Sequence, residues 1–290
     1  MLERIKFCII GVSDHQGVME VGGRLGASLG PKAFRSVFRS LRGRLPIQLG
    51  TEDLGDVPGL GSDVARNHEL ASQFIAQAHE EYSCSVVVGG GHDHGFSHLQ
   101  GVFNALSKKR GPKKWTLGCI NLDAHLDVRK PAPRITSGSP FYLALESGIL
   151  KPKHFIEFGI QSHCNAPELW EYVQARGVSV VPFQKLRGGR AVPQFKKKFA
   201  YLQAHCDFIV VSLDLDSLSQ AYAPGVSAPQ AEGFTSSEII EMMEFAGAQK
   251  EACSLGVFEL NPLHDSGEKT ARLAATAAYH FLESAAQRSS

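Results

Sequence analysis

Short, nearly continuous apolar runs recur along this chain, and longer stretches of helical periodicity separate them. The runs span residues 6–11, 84–88, 117–122, 155–159, 179–182, 208–213 and 255–260. Apolar on successive positions and too short for helices, they read as strands covered on both faces. The stretches at 61–82, 96–108, 140–147, 167–176, 193–205, 236–246 and 269–286 read as amphipathic helices. This alternation predicts an α/β fold around a mainly parallel sheet. Residues 1–290 contain no internal repeat, low-complexity tract or linker, so a single domain is expected.

In such sheets ligands bind at the carboxyl ends of the strands, and there this chain places acids and imidazoles. Gly89-Gly-Gly-His92 follows one run, Asp123-Ala-His-Leu-Asp127 a second and Asp214-Leu-Asp216 a third, while Glu259 follows residues 256–258. In extended backbone, positions i, i+2 and i+4 share a face. Asp123, His125 and Asp127 can therefore converge on one point, and Asp214 and Asp216 on another. Burying these groups together is costly unless a cation neutralises them. One such polar segment could be a simple turn or cap, but the three at 89–92, 123–127 and 214–216, each after a buried run, are not explained that way.

Carboxylates with imidazole and no thiolate favour Mn²⁺ or another hard divalent ion, whereas structural zinc is usually closed off by Cys and His. Four carboxylates can balance two such ions, which share a water and lower its pKa. The expected chemistry is metal-assisted hydrolysis of a C–N or C–O bond.

The remaining features exclude other classes. A formal net charge of +1 gives no general attraction to nucleic acid or an anionic membrane. No apolar stretch reaches the roughly 20 residues that span a bilayer, and the N-terminus enters a strand without a signal-peptide layout. Six scattered cysteines (Cys8, Cys84, Cys119, Cys164, Cys206 and Cys253) form no Cys-x-x-Cys pair and read as reduced thiols of a cytosolic protein. The basic segments 185–190 and 196–198 read as solvated surface.

Four blocks carry a resemblance. Gly89-Gly-Gly-His92, Asp123-Ala-His-Leu-Asp127, Ser212-Leu-Asp-Leu-Asp216 with Ala223-Pro-Gly225, and Glu259-Leu-Asn-Pro262 resemble the signatures of the ureohydrolase family, the arginases, agmatinases and formimidoylglutamases. The resemblance covers nearly the whole chain. It implies a three-layer α/β/α, arginase-like fold, two Mn²⁺ per subunit and a homo-oligomer. Position by position, it implies His92, Asp123, Asp127 and Asp214 as ligands of one ion, and Asp123, His125, Asp214 and Asp216 as ligands of the other. Asp123 and Asp214 would bridge. It further implies that Asp127 passes a proton to the leaving nitrogen and that Glu259 pairs with the substrate's amidine cation.

Other segments are similar to the formimidoylglutamase branch of that family. They are Ser13-Asp-His-Gln-Gly-Val18, Gly22-Gly-Arg-Leu-Gly-Ala27, Gly30-Pro-Lys-Ala-Phe-Arg35, Asp127-Val-Arg129, Ser137-Gly-Ser-Pro-Phe141, and Gly159-Ile-Gln161 with Asn165. Arginases and agmatinases usually carry His where Ser137 stands and an acid near the Asn165 position, and arginases place Asp where Gly91 stands. The expected substrate is N-formimidoyl-L-glutamate, cleaved to L-glutamate and formamide in histidine breakdown. Its two carboxylates call for guanidinium groups, and Arg129, two residues past Asp127, is placed to supply one. Arg129, Ser137, Asn165 and Glu259 are the expected substrate contacts, with Lys130 and Arg134 weaker candidates. Arg24 could reach substrate or lock the N-terminal loop. His94 and His98 lie off the His92 face, in supporting or packing roles, and His163 and His264 sit in loops that could line the pocket. The alternatives are an agmatinase- or arginase-type guanidine hydrolase releasing urea, a single-zinc deacetylase, and a non-catalytic relative. The last is disfavoured because all six ligand positions are filled.

Overall fold

The structure, a computed structural model, describes residues 6–43, 50–111 and 115–288. In chain order its principal elements are β1 (Phe7–Gly11), α1 (Gln16–Glu20), α2 (Gly30–Phe38), β2 (Thr51–Asp56), α3 (Val64–Glu81), β3 (Cys84–Val88), α4 (His94–Arg110), β4 (Leu117–Leu122), α5 (Pro140–Glu146), β5 (Phe155–Ile160), α6 (Pro167–Arg176), β6 (Ser179–Pro182), α7 (Ala191–Gln203), β7 (Phe208–Asp214), α8 (Ser236–Ala248), β8 (Ala252–Phe258) and α9 (Lys269–Ala286). The eight strands form one sheet in the order β2-β1-β3-β8-β7-β4-β5-β6, and every strand pair is parallel.

Strand alternation divides the core in two. Ile209, Val211 and Leu213 of β7 point to the layer of α2, α7, α8 and α9, where Phe34, Phe195, Met242 and Phe281 pack. Val210 points the other way, with Val87 and Cys119, to the layer of α3 to α6, where Ile75, Leu99, Phe141 and Val173 pack. The result is the expected three-layer α/β/α arrangement. Helix starts follow local chemistry. The Asp63 side chain caps α3 by accepting from Arg66 N–H at 3.1 Å, and Thr235 and Glu238 form a reciprocal capping box at α8.

Three parts of the fold differ from the sequence expectation. Edge strand β2, Thr-Glu-Asp-Leu-Gly-Asp, lacks an apolar pattern and is partly exposed along its length. Its Asp53 instead pairs with Arg35 (2.9 Å) and Arg39 (2.8 Å) of α2 and its C-terminal flank. Helix α1, five residues long, is too short to display a period. Helix α2 buries Gly30, Pro31, Phe34, Val37 and Phe38 at helical spacing and lies outside the stretches expected to be helical. Strand β8 runs from Ala252 to Phe258 rather than over 255–260, because Glu259 turns the backbone into the left-handed region (φ 65°).

The four strands whose ends carry the candidate ligands, β3, β8, β7 and β4, are neighbours at the centre of the sheet. Residues distant in sequence therefore meet on one rim. The six cysteines are free, five of them buried. No helix among the described residues is long and apolar enough to cross a membrane.

Candidate metal centre

The loop after β3 runs tight against the chain after β1. A Cβ on Gly90 would lie 1.5 Å from the Asp14 carbonyl oxygen, so only glycine fits there. This loop delivers His92, whose ring stacks on Phe258 at 4.9 Å and whose backbone N–H donates to Glu259 Oε1 at 2.8 Å.

The two nitrogens of His92 face different surroundings. Nε2 lies 2.9 Å from Ser212 Oγ. Nδ1 lies 3.1, 2.9 and 3.0 Å from carboxylate oxygens of Asp123, Asp127 and Asp214, yet makes no hydrogen bond. With the ring proton on Nε2 and donated to Ser212, Nδ1 presents a lone pair to three oxygens that are themselves lone-pair donors. Such a cluster repels itself unless positive charge, from a metal ion or a second ring proton, is held at its centre. Ligands about 2.1 Å from one ion stand about 3 Å apart, as these do. The residues fit a divalent metal.

A second group adjoins the first. His125 Nδ1 lies 3.2 Å from Asp216 Oδ2 and 3.5 Å from Asp123 Oδ1, and Asp216 Oδ1 is buried without a hydrogen-bond partner. Asp123 belongs to both groups. Asp214 joins the first through Oδ2, while its Oδ1 accepts the Asp216 N–H at 2.8 Å. All six predicted ligands are thus brought together, but not by strand alternation. Residues 123–128 lie beyond the end of β4, Asp127 has φ 46°, and Asp216 sits in a 3₁₀ turn. Turns after the strands aim these side chains. Asp127 and Glu259 are two of only three non-glycine residues with positive φ among the described residues, and such conformations persist where surrounding contacts enforce them.

Without an ion the acids are in conflict. Burial, then Asp123, pushes Asp127 up to about 6. Burial, then Asp216 and Asp123, raises Asp214 well above the ordinary carboxyl range. For His92 and His125 burial opposes charging, but the surrounding carboxylates outweigh it and raise both. Burial, with Asp216 adding to it, pushes Glu259 up to about 8.

The expected substrate contacts separate into groups. Arg129 is exposed, with no acidic partner among the described residues, and its guanidinium lies beside Gly138, next to the half-buried Ser137. Asn165 departs from its expected role. Its Oδ1 accepts the Leu126 N–H at 2.7 Å, and its Nδ2 donates to the carbonyls of Ala124 (3.0 Å) and Gln161 (2.8 Å). Every polar atom of that amide braces the ligand-bearing loop. Glu259 is already engaged at both oxygens, by His92 N–H and by the Ser227 hydroxyl. Arg24 locks a loop, donating to the carbonyls of Pro224 (3.3 Å) and Val226. Arg134 pairs with Glu20 at 2.7 Å, and Lys130, His163 and His264 are exposed.

Supporting residues escaped the sequence reading, although Ser212 opens one of the four signature blocks. Ser212, Ser227 and Asn121 contact ligands or Glu259. His94 Nε2 lies 2.9 Å from Asp14, and His68 Nε2 2.9 Å from Asp93. His68, Asp93 and His94 form a third buried group of potential ligands, in which His68 Nδ1 and Asp93 Oδ1 have no hydrogen-bond partner.

Comparison with known proteins agrees with this geometry. The Arginase family profile matches residues 5–283. This chain belongs to the arginase family. Among relatives, the formimidoylglutamase of Staphylococcus carnosus (strain TM300) is 31% identical over 274 residues, covering 94% of this chain and 85% of its own. Among solved structures, Trypanosoma cruzi formiminoglutamase with Mn²⁺ superposes with a TM-score of 0.86 at 29% identity, over 100% of this chain and 96% of that one. Formimidoylglutamase from Bacillus subtilis gives 0.87 at 25% identity, over 99% and 89%. The arginase-family fold is thus shared along the whole length.

Proposed function

We propose that this arginase-family chain is a binuclear manganese hydrolase that converts N-formimidoyl-L-glutamate and water to L-glutamate and formamide. The observation that carries the metal reading is the bare Nδ1 of His92 facing three carboxylate oxygens. The substrate reading is supported by the formimidoylglutamase relatives and by Ser137 and the unpaired Arg129 at the rim. His92, Asp123, Asp127 and Asp214 would hold one ion, and Asp123, His125, Asp214 and Asp216 the other. When bound, the ions supply an acidified water and a positive field at the amidine carbon.

The chain's own residues orient and protonate. Arg129 holds a substrate carboxylate through charge-assisted hydrogen bonds, with Ser137 beside it. Glu259 accepts the amidinium. Its buried carboxylate lacks a cationic partner in the free protein, and the substrate provides one. Asp127 is the most exposed of the three acids facing His92, its side chain 10% accessible against 0% for Asp123 and 3% for Asp214. It therefore faces the open side, where it carries a proton to the departing glutamate nitrogen. Asn165 is assigned to bracing the ligand loop rather than to substrate. One catalytic domain in a cytosolic homo-oligomer completes the reading.

Manganese-reconstituted protein assayed against N-formimidoyl-L-glutamate, N-guanidino-glutamate, arginine and agmatine tests it. The expected products are glutamate and formamide. Turnover of arginine or agmatine alone, with urea released, would overturn the substrate assignment.

A further inference from the structure

Parallel pairing sets Asn121 of β4 beside Glu157 of β5, two residues before the candidate ligand Asp123. Glu157 is completely buried. The one hydrogen bond it receives comes from Asn121 Nδ2, 3.0 Å from Oε2. Two atoms of this pair, Glu157 Oε1 and Asn121 Oδ1, are buried without a partner. As an ionised carboxylate, Glu157 would leave a charge in the core near Asp123 and Asp127, and would offer no proton to either orphaned oxygen. Burial, then those two acids, raises it well above the ordinary carboxyl range despite the Asn121 bond and the nearby His92.

We propose that Glu157 is a neutral carboxylic acid whose Oε1–H donates to Asn121 Oδ1, and that this acid–amide pair is the positioning unit for Asp123. One proton satisfies both orphaned atoms. It also fixes which end of the Asn121 amide faces which neighbour. Oδ1 must receive the acid proton, so the two Nδ2 hydrogens go to Glu157 Oε2 and to Asp123 Oδ2, the latter at 3.2 Å. That Asp123 oxygen is the one facing His92 Nδ1. An amide free to flip would turn its oxygen toward Asp123 and repel it. The unit thus acts on the carboxylate shared by both candidate metal groups, and its effect on metal affinity rests on the binuclear reading above.

The test combines two variants with a spectrum. Glu157→Gln preserves both halves of the pair, with the new amide donating to Asn121 Oδ1 and accepting from Nδ2, whereas Glu157→Leu removes both. Mn²⁺ affinity, measured by chelator competition, should stay near wild type in E157Q and fall about 10–100-fold in E157L, the usual range for groups that orient metal ligands. Subtracting the E157Q infrared spectrum from that of the ion-free wild type at neutral pH should leave one carboxylic-acid carbonyl band, because the bands of Asp214 and Glu259 are common to both and cancel. Absence of that difference band would overturn the proposal, as would an E157Q protein losing as much Mn²⁺ affinity as E157L. The band is read without metal, so it decides the state of Glu157 even if the manganese assignment fails.

Discussion

Ser212 Oγ lies 2.9 Å from His92 Nε2, and Ser212 stands two residues before Asp214 on the same strand. Strand β7 thereby supplies both a candidate ligand and the group that fixes the tautomer of another. Ser212→Ala removes the acceptor that keeps the ring proton on Nε2. Mn²⁺ affinity should fall about 10–100-fold, as it does when a ligand imidazole loses its outer partner. Equilibrium dialysis with metal analysis checks this, and unchanged affinity would show that Ser212 has no part in orienting His92.

Asp123 stands in both candidate groups, so its loss should be felt at both. Asp123→Asn keeps the size but removes a charge from a completely buried position. We expect the variant to bind fewer than two Mn²⁺ per chain and to lose more than about 3 kcal/mol of transition-state stabilisation, over a hundredfold in rate. His125→Asn, which alters only the second group, should retain more metal. Metal content by elemental analysis beside the steady-state rate distinguishes the two. Full occupancy and full rate in D123N would refute the assignment.

How far the site could be read in advance depended on what held each residue in place. The six ligands were legible because buried carboxylates and imidazoles at the ends of apolar strands need a cation, whatever the turns do. Their convergence was not legible from strand alternation, since Asp127 and Asp216 reach the centre through a left-handed residue and a 3₁₀ turn. Asn165 stood at a substrate-determining position, but its three hydrogen bonds all go to backbone, and no pattern in one sequence reveals such a commitment. Glu157 sat unnoticed in an apolar run because its partner is 36 residues away. Strand β2 was invisible for a different reason. Its stability comes from edge pairing and from Arg35 and Arg39, not from a hydrophobic face.

Arg129 is exposed beside the centre, with no acid among the described residues to pair it. If it binds a substrate carboxylate, Arg129→Ala removes a charge-assisted contact worth about 1.5–3 kcal/mol, or roughly 10–150-fold. The loss should fall mainly on KM for N-formimidoyl-L-glutamate, with kcat changed less and Mn²⁺ content unchanged. Lysine should rescue only part, since it lacks the two-pronged geometry. An R129A enzyme with wild-type KM would remove Arg129 from the substrate site.

A separate prediction concerns acid stability, away from the ligands. His79, Ser85, Ser254 and His98 form a buried chain across β3 and β8, with contacts of 2.8, 2.6 and 2.5 Å. Burial, with Lys109 adding to it, pushes His79 down to about 4 from its ordinary 6.5. Burial, then His79 and His92, pushes His98 down to about 3. A depressed imidazole means that the unfolded chain takes up the proton first. The contribution of His79 is therefore fully present above pH 6.5, falls as the pH drops below it, and levels off near pH 4. Its size is of the order of 3 kcal/mol, because each tenfold weakening of proton binding corresponds to about 1.4 kcal/mol. Denaturant unfolding should show wild type losing stability between about pH 7 and pH 5, and His79→Gln, which does not titrate, losing less over that interval. Equal losses in the two proteins would mean that His79 is not held neutral by burial.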